Sequence, residues 1–330
     1  MFKIVTGTDW QPSSDIQTLK RRAQLLSDVR RFFAERGVLE VETPILSQSA
    51  PTAIYLDSFS TDYQPTGLTP KSYFLQTSPE FAMKRLLAAG CGDIYQIARV
   101  FRHGELGRLH NPEFTMLEWY RPTLTYKALM QEVDTLLQDI AGFLPAIYER
   151  YHSLFLHYLN LNLEQTDTDS LRQTALDRVS ALPDDWQCDR DGWLDILMSE
   201  VIEPELAKRQ QPVIVYAVPA SQAQLAKLYE NDLSMTVAAR FEVYAGGLEL
   251  ANGYDECLDA AELRARFNRD NEQRRAAGKS QMPMDDRLLA GIHAGMPACT
   301  GVALGLDRLL LLITGKNNLA DVISFAFERS

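Results

Sequence analysis

The 330-residue chain predicts an α+β fold in which a mainly antiparallel sheet is flanked by helices. Two observations carry that prediction. Strand-like runs at 54–59, 72–77, 93–101 and 113–120 follow one another with turns and a single short helix between them, an order that builds antiparallel pairs. Further on, TVAARFEVYAGGLELANGY (236–254) reads as two strands around Gly246-Gly247, a favoured two-residue hairpin turn.

The elements follow in order. After an N-terminal extension of 1–14, the apolar residues Ile16, Leu19, Ala23, Leu26, Val29 and Phe33 recur every three or four positions between the capping run Ser13-Ser14-Asp15 and Gly37, so this stretch is an amphipathic helix. VLEVETPIL (38–46) mixes branched residues with a proline and is expected to leave that helix extended. Proline at 79 suits the first turn of the short helix that interrupts the strands. The stretch from about 125 to 208, rich in Leu, Ala, Asp and Gln and broken at Pro145, Pro183 and Pro204, is expected to be a mainly helical insertion. Strand character returns in PVIVYAV (212–218) and in the hairpin, a charged helix covers about 259–277, and ACTGVALGLDRLLLLITG (298–315) couples a glycine-spaced strand to a helix.

Composition narrows the function. Hydrophobic residues make up 46% of the chain and charged residues 23%, ordinary for a globular core. With 33 Lys and Arg against 44 Asp and Glu the formal charge is −11, which disfavours a protein built to grip a phosphate backbone but permits a small anion in a local basic pocket. Cys91, Cys188, Cys257 and Cys299 form no CxxC pair, so neither a zinc site nor a disulfide framework is suggested. No leader-like or membrane-length apolar run stands out, and the reading is a cytoplasmic protein.

Three segments concentrate chemistry. FRHGELGRLHNPEFTMLEW (101–119) places Arg102, His103, Glu105, Arg108 and His110 in a loop between two strands, where arginines can meet a phosphate or carboxylate. On its own this is equally a solvated hairpin tip. In FEVYAGGLELANGYDE (241–256), Glu242 and Glu249 fall on adjacent strands near one face, a pair that can hold Mg²⁺ against substrate phosphates. GVALGLDRL (301–309) turns from strand to helix with Arg308 in the first turn, and it is not a Walker loop. The Lys/Arg-rich helix at 264–279 suits an acidic face of a protein partner, although a solvated charged helix is the plainer reading.

Together, RGVLEVETPIL with its preceding helix, FR…HNPEFTMLE and GVALGLDRL resemble, in order, motifs 1, 2 and 3 of class II aminoacyl-tRNA synthetases. TSPE (77–80), HNPEFTMLEWY (110–120) and ELANGYDE (249–256) are most similar to the lysyl-tRNA synthetase subgroup, and the resemblance spans about 15–328. It implies a class II catalytic core over 15–330, without the anticodon-binding domain of those synthetases, and hence no tRNA acceptor. Within the subgroup the chain looks most like the truncated paralogues that lysylate elongation factor P. That resemblance implies ATP and Mg²⁺ as cofactors, lysine or (R)-β-lysine as substrate, and a homodimer.

The roles it implies are these. Arg102 contacts the α-phosphate and the substrate carboxylate, and Arg308 the terminal phosphates. Glu242 and Glu249 organise Mg²⁺. His103, Gly104, Asn111, Phe114, Glu249, Leu250 and Gly305 line the ATP site, with Phe114 stacking on adenine. Ser78, Pro79, Glu80, Tyr120, Asn252, Glu256 and Ala303 form the amino-acid pocket, whose carboxylates and phenol suit a substrate with two ammonium groups. Two positions depart from the synthetase pattern. Ala303 stands where a glycine is expected, and its methyl reshapes the pocket floor as suits (R)-β-lysine. Gly104 replaces a glutamate that contacts adenine, with Glu105 next to it as the candidate substitute. His110 is either a brace for the loop or a candidate base. Another ligase on the same core, or a non-catalytic regulatory paralogue, would share parts of this pattern; the presence of Arg102, Glu242, Glu249 and Arg308 disfavours the second.

Overall fold

The computed structural model describes residues 10–183 and 185–330, arranged in two compact bodies. One runs to Thr123 and resumes at Leu258–Cys299 and Ala303–Ser330; the other holds Leu124–Cys257 with Thr300–Val302.

The first body opens with α1 (Ile16–Ala34), capped by the Asp15 carboxylate, which accepts from the Thr18 N–H at 2.7 Å. The predicted helix is present but its inward face is rotated. Thr18, Leu25, Val29, Phe32 and Phe33 are buried, while Ile16 and Ala23 are exposed. The rotation is set by what the helix meets. Phe33 stacks on Tyr95 at 4.4 Å and meets Trp119 edge-on at 5.3 Å, and Arg22 turns inward to Asp307 and Thr115.

The chain continues through β1 (Leu39–Glu40), β2 (Leu46–Ser47), β3 (Ser60–Tyr63), β4 (Lys71–Leu75), α2 (Glu80–Ala88), β5 (Ile94–Phe101) and β6 (Glu113–Arg121). The strand expected at 54–59 lies at 60–63 instead. Residues 54–55 form a turn, and the backbone oxygens of Ile54 and Leu56 are taken by Lys279 and Arg274, whose cations also pair with Asp57. Strands β3, β4 and β2 form a small antiparallel sheet. In the main sheet β5 pairs antiparallel with β6 along its whole length, from Ile94↔Tyr120 to Phe101↔Glu113, and parallel with β1.

The second body contains α3 (Tyr126–Ala141), β7 (Ile147–Arg150), α4 (Tyr151–Leu159), α5 (Thr168–Arg178), α6 (Arg190–Leu197), α7 (Glu203–Leu206), β8 (Val213–Pro219), β9 (Leu228–Glu230), β10 (Thr236–Ala245) and β11 (Leu248–Asp255). The expected insertion is mostly helical, with two corrections. It includes a strand, since β7 pairs parallel with β8. Pro204 does not break the helix either: a π-helical turn over Met198–Ile202 joins α6 to α7, and the proline sits in the first turn of α7, where no intrahelical donor is needed. Strands β8 and β11 flank β10 as antiparallel neighbours, and Trp193, Leu194, Leu197, Phe155 and Leu171 pack with Val213, Val215 and Val218 in one core.

The first body resumes with α8 (Ala260–Ala276) and α9 (Asp286–His293), and β12 (Thr300–Gly305) leads into α10 (Leu306–Thr314). The basic run of α8 is largely consumed internally. Arg264 pairs with Asp286, Arg266 with Glu262, and the buried Arg274 with Asp57.

Candidate functional site

In the first body the period-2 geometry of β5 and β6 places the chemistry. Phe114, Met116, Glu118 and Tyr120 share one face of β6, opposite Val100, Ala98, Gln96 and Ile94 of β5. Arg102 immediately follows β5, held by its N–H to Pro112 O at 2.9 Å. Its guanidinium lies 5.1 Å from the Phe114 ring centroid and 3.7 Å from Glu105, and its buried Nε has no hydrogen-bond partner. A buried guanidinium nitrogen without an acceptor costs stability unless a ligand supplies one, which is the property expected of a residue waiting for a phosphate or carboxylate. Gly104 adopts φ +85°, so the tight turn after Arg102 needs glycine there; Glu105, one place on, is the carboxylate beside Arg102. The His103 ring packs edge-on against Phe59, and the backbone N–H of His103 donates to Asp57 O.

Further along the loop, the Arg308 guanidinium lies 2.8 Å from His110 Nε2. Burial, and then the Arg308 charge, push the His110 pKa down, so the imidazole is neutral and accepts from Arg308. This geometry answers for His110 as a brace. Arg308 stands in the first turn of α10, whose N-cap Gly305 offers no side-chain cap, leaving the first backbone N–H groups and the positive end of the helix dipole for an anion. The adjoining Asp307 is 2% exposed and accepts from the Thr115 N–H at 2.7 Å and from Arg22, fixing α10 to β6 and α1. Asn111 is used within the protein: its amide donates to Glu113 O at 2.6 Å and accepts from the Phe327 N–H at 3.0 Å. Ala303 packs beside Phe114 against Ala98, Val100 and Met116.

The amino-acid end of this body is built around a residue the sequence reading passed over. Glu118 is 2% exposed and accepts from Ser78 Oγ and Tyr120 OH, each at 2.6 Å. Ser78 Oγ also accepts from the Glu80 N–H at 3.0 Å, so the TSPE turn enters α2 through its N-cap Pro79 with the Ser78 hydroxyl aimed at Glu118. Glu80 pairs with the buried Lys84 at 2.6 Å. A signal for Glu118 existed in the sequence, where FTMLEWY puts one charge inside an otherwise apolar strand. Burial, and then the Glu80 charge, raise Glu118 to about 7. Phe114 and Glu118 are four residues apart on one strand face, about 13 Å at ~3.3 Å per residue, enough to seat an aromatic base at one end and an ammonium at the other.

In the second body the Gly246-Gly247 turn is as expected, with φ of +56° and +79° closing Ala245 on Leu248. Glu242 faces Asn252 and Tyr244 faces Glu249, with a bulge between, so Leu250 is the extra residue. The bulge decides the site. Glu249 and Asn252 are three residues apart and would lie on opposite faces of a regular strand; the extra residue turns both to the face of Glu242 and Tyr244. Arg240, which the sequence reading also missed, donates to Glu242, to Asn252 Oδ1 at 3.2 Å and to Gln222 O at 2.9 Å, and Tyr244 OH donates to the other Glu242 oxygen at 2.5 Å. Two carboxylates on one face, one already held by an arginine and a phenol, fit a Mg²⁺ ion that takes most of its ligands from phosphate and water. Glu256 follows β11, is 2% exposed and bridges in backbone to Ala226.

The family model of class II tRNA synthetases (D, K and N) matches residues 9–329. The chain is 47% identical over 322 residues, 97% of its length, to the "Elongation factor P--(R)-beta-lysine ligase" of Salmonella arizonae, covering 98% of that protein. The proteins of the same name from Salmonella typhi and Salmonella paratyphi B match it at the same identity and coverage.

Proposed function

The chain belongs to the class II (D, K and N) tRNA synthetase family, and from that premise we propose that it is a ligase that activates (R)-β-lysine with ATP and transfers it to a lysine of elongation factor P. The observation that carries this reading is the first-body site: the partnerless Nε of Arg102, whose guanidinium lies by Phe114 on the β6 face that also carries the buried carboxylate Glu118. That set of charges suits an amino acid whose carboxylate is to be activated and whose ammonium must be held.

The reaction proceeds in two steps. One carboxylate oxygen of β-lysine attacks the α-phosphorus, the new O–P bond forms, and pyrophosphate leaves with the old one. Arg102 holds nucleophile and phosphate together, and Arg308, oriented by His110, takes the terminal phosphates; catalysis is positioning plus fixed charge, with no protein nucleophile. Glu242 and Glu249 would hold Mg²⁺, which supplies charge neutralisation at the phosphates. Phe114 stacks on adenine, with His103, Gly104, Asn111 and Gly305 around the nucleotide. In the second step the neutral ε-amine of the acceptor lysine attacks the acyl carbon, the amide forms, AMP leaves and the amine gives up a proton. An unperturbed lysine titrates near 10.4, so docking must favour the neutral amine. Ser78, Pro79, Glu80, Tyr120 and Ala303 of the first body shape the amino-acid pocket.

We place the enzyme in the cytoplasm as a homodimer that does not use tRNA. No described helix is long and apolar enough to cross a membrane. ATP–pyrophosphate exchange without RNA, comparing (R)-β-lysine, α-lysine, aspartate and no amino acid, tests the first step. Exchange strongest with β-lysine is expected; none with any amino acid would favour a regulatory paralogue.

A further inference from the structure

The second body also holds a pocket of about 160 Å³ whose lining includes none of the site residues. It lies where the starts of α4 and α6 meet the C-terminal end of β8 and the first residues of β10. The strands make room for it: Ala217 of β8 takes φ +58°, and the β8–β10 register shifts between Ala238 and Phe241, so the regular ladder is interrupted beside the pocket wall. The charge of the lining has one sign. Arg150, His152 and Arg190 contribute to it and, among the described residues, no Asp or Glu does, in a chain with 44 acidic and 33 basic residues. Both guanidinium groups are fixed in place, Arg150 by Asp232 at 2.7 Å and Arg190 by Thr166 O at 2.6 Å and Leu163 O at 2.8 Å.

Two buried polar atoms of lining residues have no hydrogen-bond partner. One is the hydroxyl of Tyr151, a residue 3% exposed, and the other is His152 Nδ1. Burial, and then the carboxylates of Asp195 and Glu242, hold the Tyr151 phenol protonated far above its usual range, so its hydroxyl is a donor. A neutral imidazole can likewise carry its proton on Nδ1. Guanidinium groups donate and never accept. The pocket therefore offers donors and positive charge, and what it lacks is an acceptor; a buried donor left without one is costly unless a ligand supplies it.

We propose that this pocket is a binding site for a small organic carboxylate, whose oxygens take hydrogen bonds from His152, Tyr151 and the two arginines and whose apolar body packs on Leu194, Met235 and Val237. Size and wall chemistry choose this class. An apolar cavity of about 150 Å³ admits a benzene ring, so the space suits a body on the order of six carbons. Inorganic phosphate would meet the arginines but leave the apolar wall without a partner. An amine would bring a second cation and more donors to a lining that already has both.

Titration calorimetry of the full chain with benzoate, benzyl alcohol, benzylamine and inorganic phosphate tests this. Benzoate should bind at least about tenfold more tightly than benzyl alcohol, because its hydrogen bonds are charge-assisted, and benzylamine and phosphate should give no saturable heat. His152→Leu and Tyr151→Phe, which keep much of the side-chain volume and remove one polar atom each, should each weaken benzoate about tenfold. Arg102→Ala should leave the benzoate affinity unchanged, since Arg102 belongs to the first body. The native chain alone can refute the proposal: no benzoate binding, or benzylamine or phosphate bound as tightly, would overturn it. Native benzoate affinity in both pocket variants, or its loss in Arg102→Ala, would place the ligand elsewhere and overturn it as well.

Discussion

Glu118→Gln should make the protein more stable and less active, and the gain should depend on pH in a calculable way. Folding takes this carboxyl from its ordinary 4.5 to about 7, mainly by burial. A carboxyl raised in the folded state contributes stability that is present below 4.5 and lost as pH rises through 7. At 1.36 kcal/mol per pH unit, the penalty for holding Glu118 ionised reaches about 3 kcal/mol above pH 7, most of it accumulating between pH 5 and pH 7. Glutamine has the same shape and no charge, and it can accept from one hydroxyl of the Ser78 and Tyr120 pair while donating to the other. Urea unfolding of both proteins at pH 5, 6, 7 and 8 measures the difference. The variant should gain on the native protein from pH 5 to pH 7, with little further gain by pH 8, and should lose amino-acid binding, a trade of activity for stability expected at a preorganised charged site. Parallel stability curves with no pH-dependent gap would refute the reasoning, because they would mean that Glu118 titrates alike in the folded and unfolded chains.

Arg102→Ala should leave the fold intact, since Nε has no partner to lose, and should cut pyrophosphate exchange by at least about 10²-fold; near-native exchange would contradict its role. Asp307→Ala removes a buried carboxylate that holds the Thr115 N–H and Arg22, and should cost about 3–5 kcal/mol in urea unfolding. Ala303→Gly should shift the kcat/KM ratio towards α-lysine by no more than about 1–3 kcal/mol, and an unchanged ratio would speak against the pocket-floor reading. Glu249→Gln should raise the Mg²⁺ concentration needed for half-maximal exchange, while unchanged Mg²⁺ dependence would remove Glu249 from the proposed ion.

What the sequence made legible was whatever local spacing determines. The Gly-Gly turn, the Asp15 cap, the loop between Phe101 and Glu113 and the first-turn Arg308 are all properties of neighbours within a few residues, and each stands where it was expected. The rest depends on partners far away in the chain. Arg22 lies on the inward face of α1 because Asp307, 285 residues later, needs a cation, and hydrophobic periodicity alone rotates that face wrongly towards Ile16 and Ala23. The strand expected at 54–59 loses its backbone acceptors to Arg274 and Lys279, more than 200 residues away. A bulge at Leu250, which no residue type announces, is what turns Glu249 and Asn252 to one face. Glu118 and Lys84 went unassigned because a single charge within an apolar segment reads as an exception until its partner is known.

The most direct test is the intact mass of elongation factor P after incubation with this protein, ATP and (R)-β-lysine, without RNA. A gain of one lysyl residue per molecule, abolished by Arg102→Ala and by substituting the acceptor lysine, is the predicted result. Unmodified elongation factor P alongside vigorous β-lysine-dependent pyrophosphate exchange would contradict the proposed acceptor.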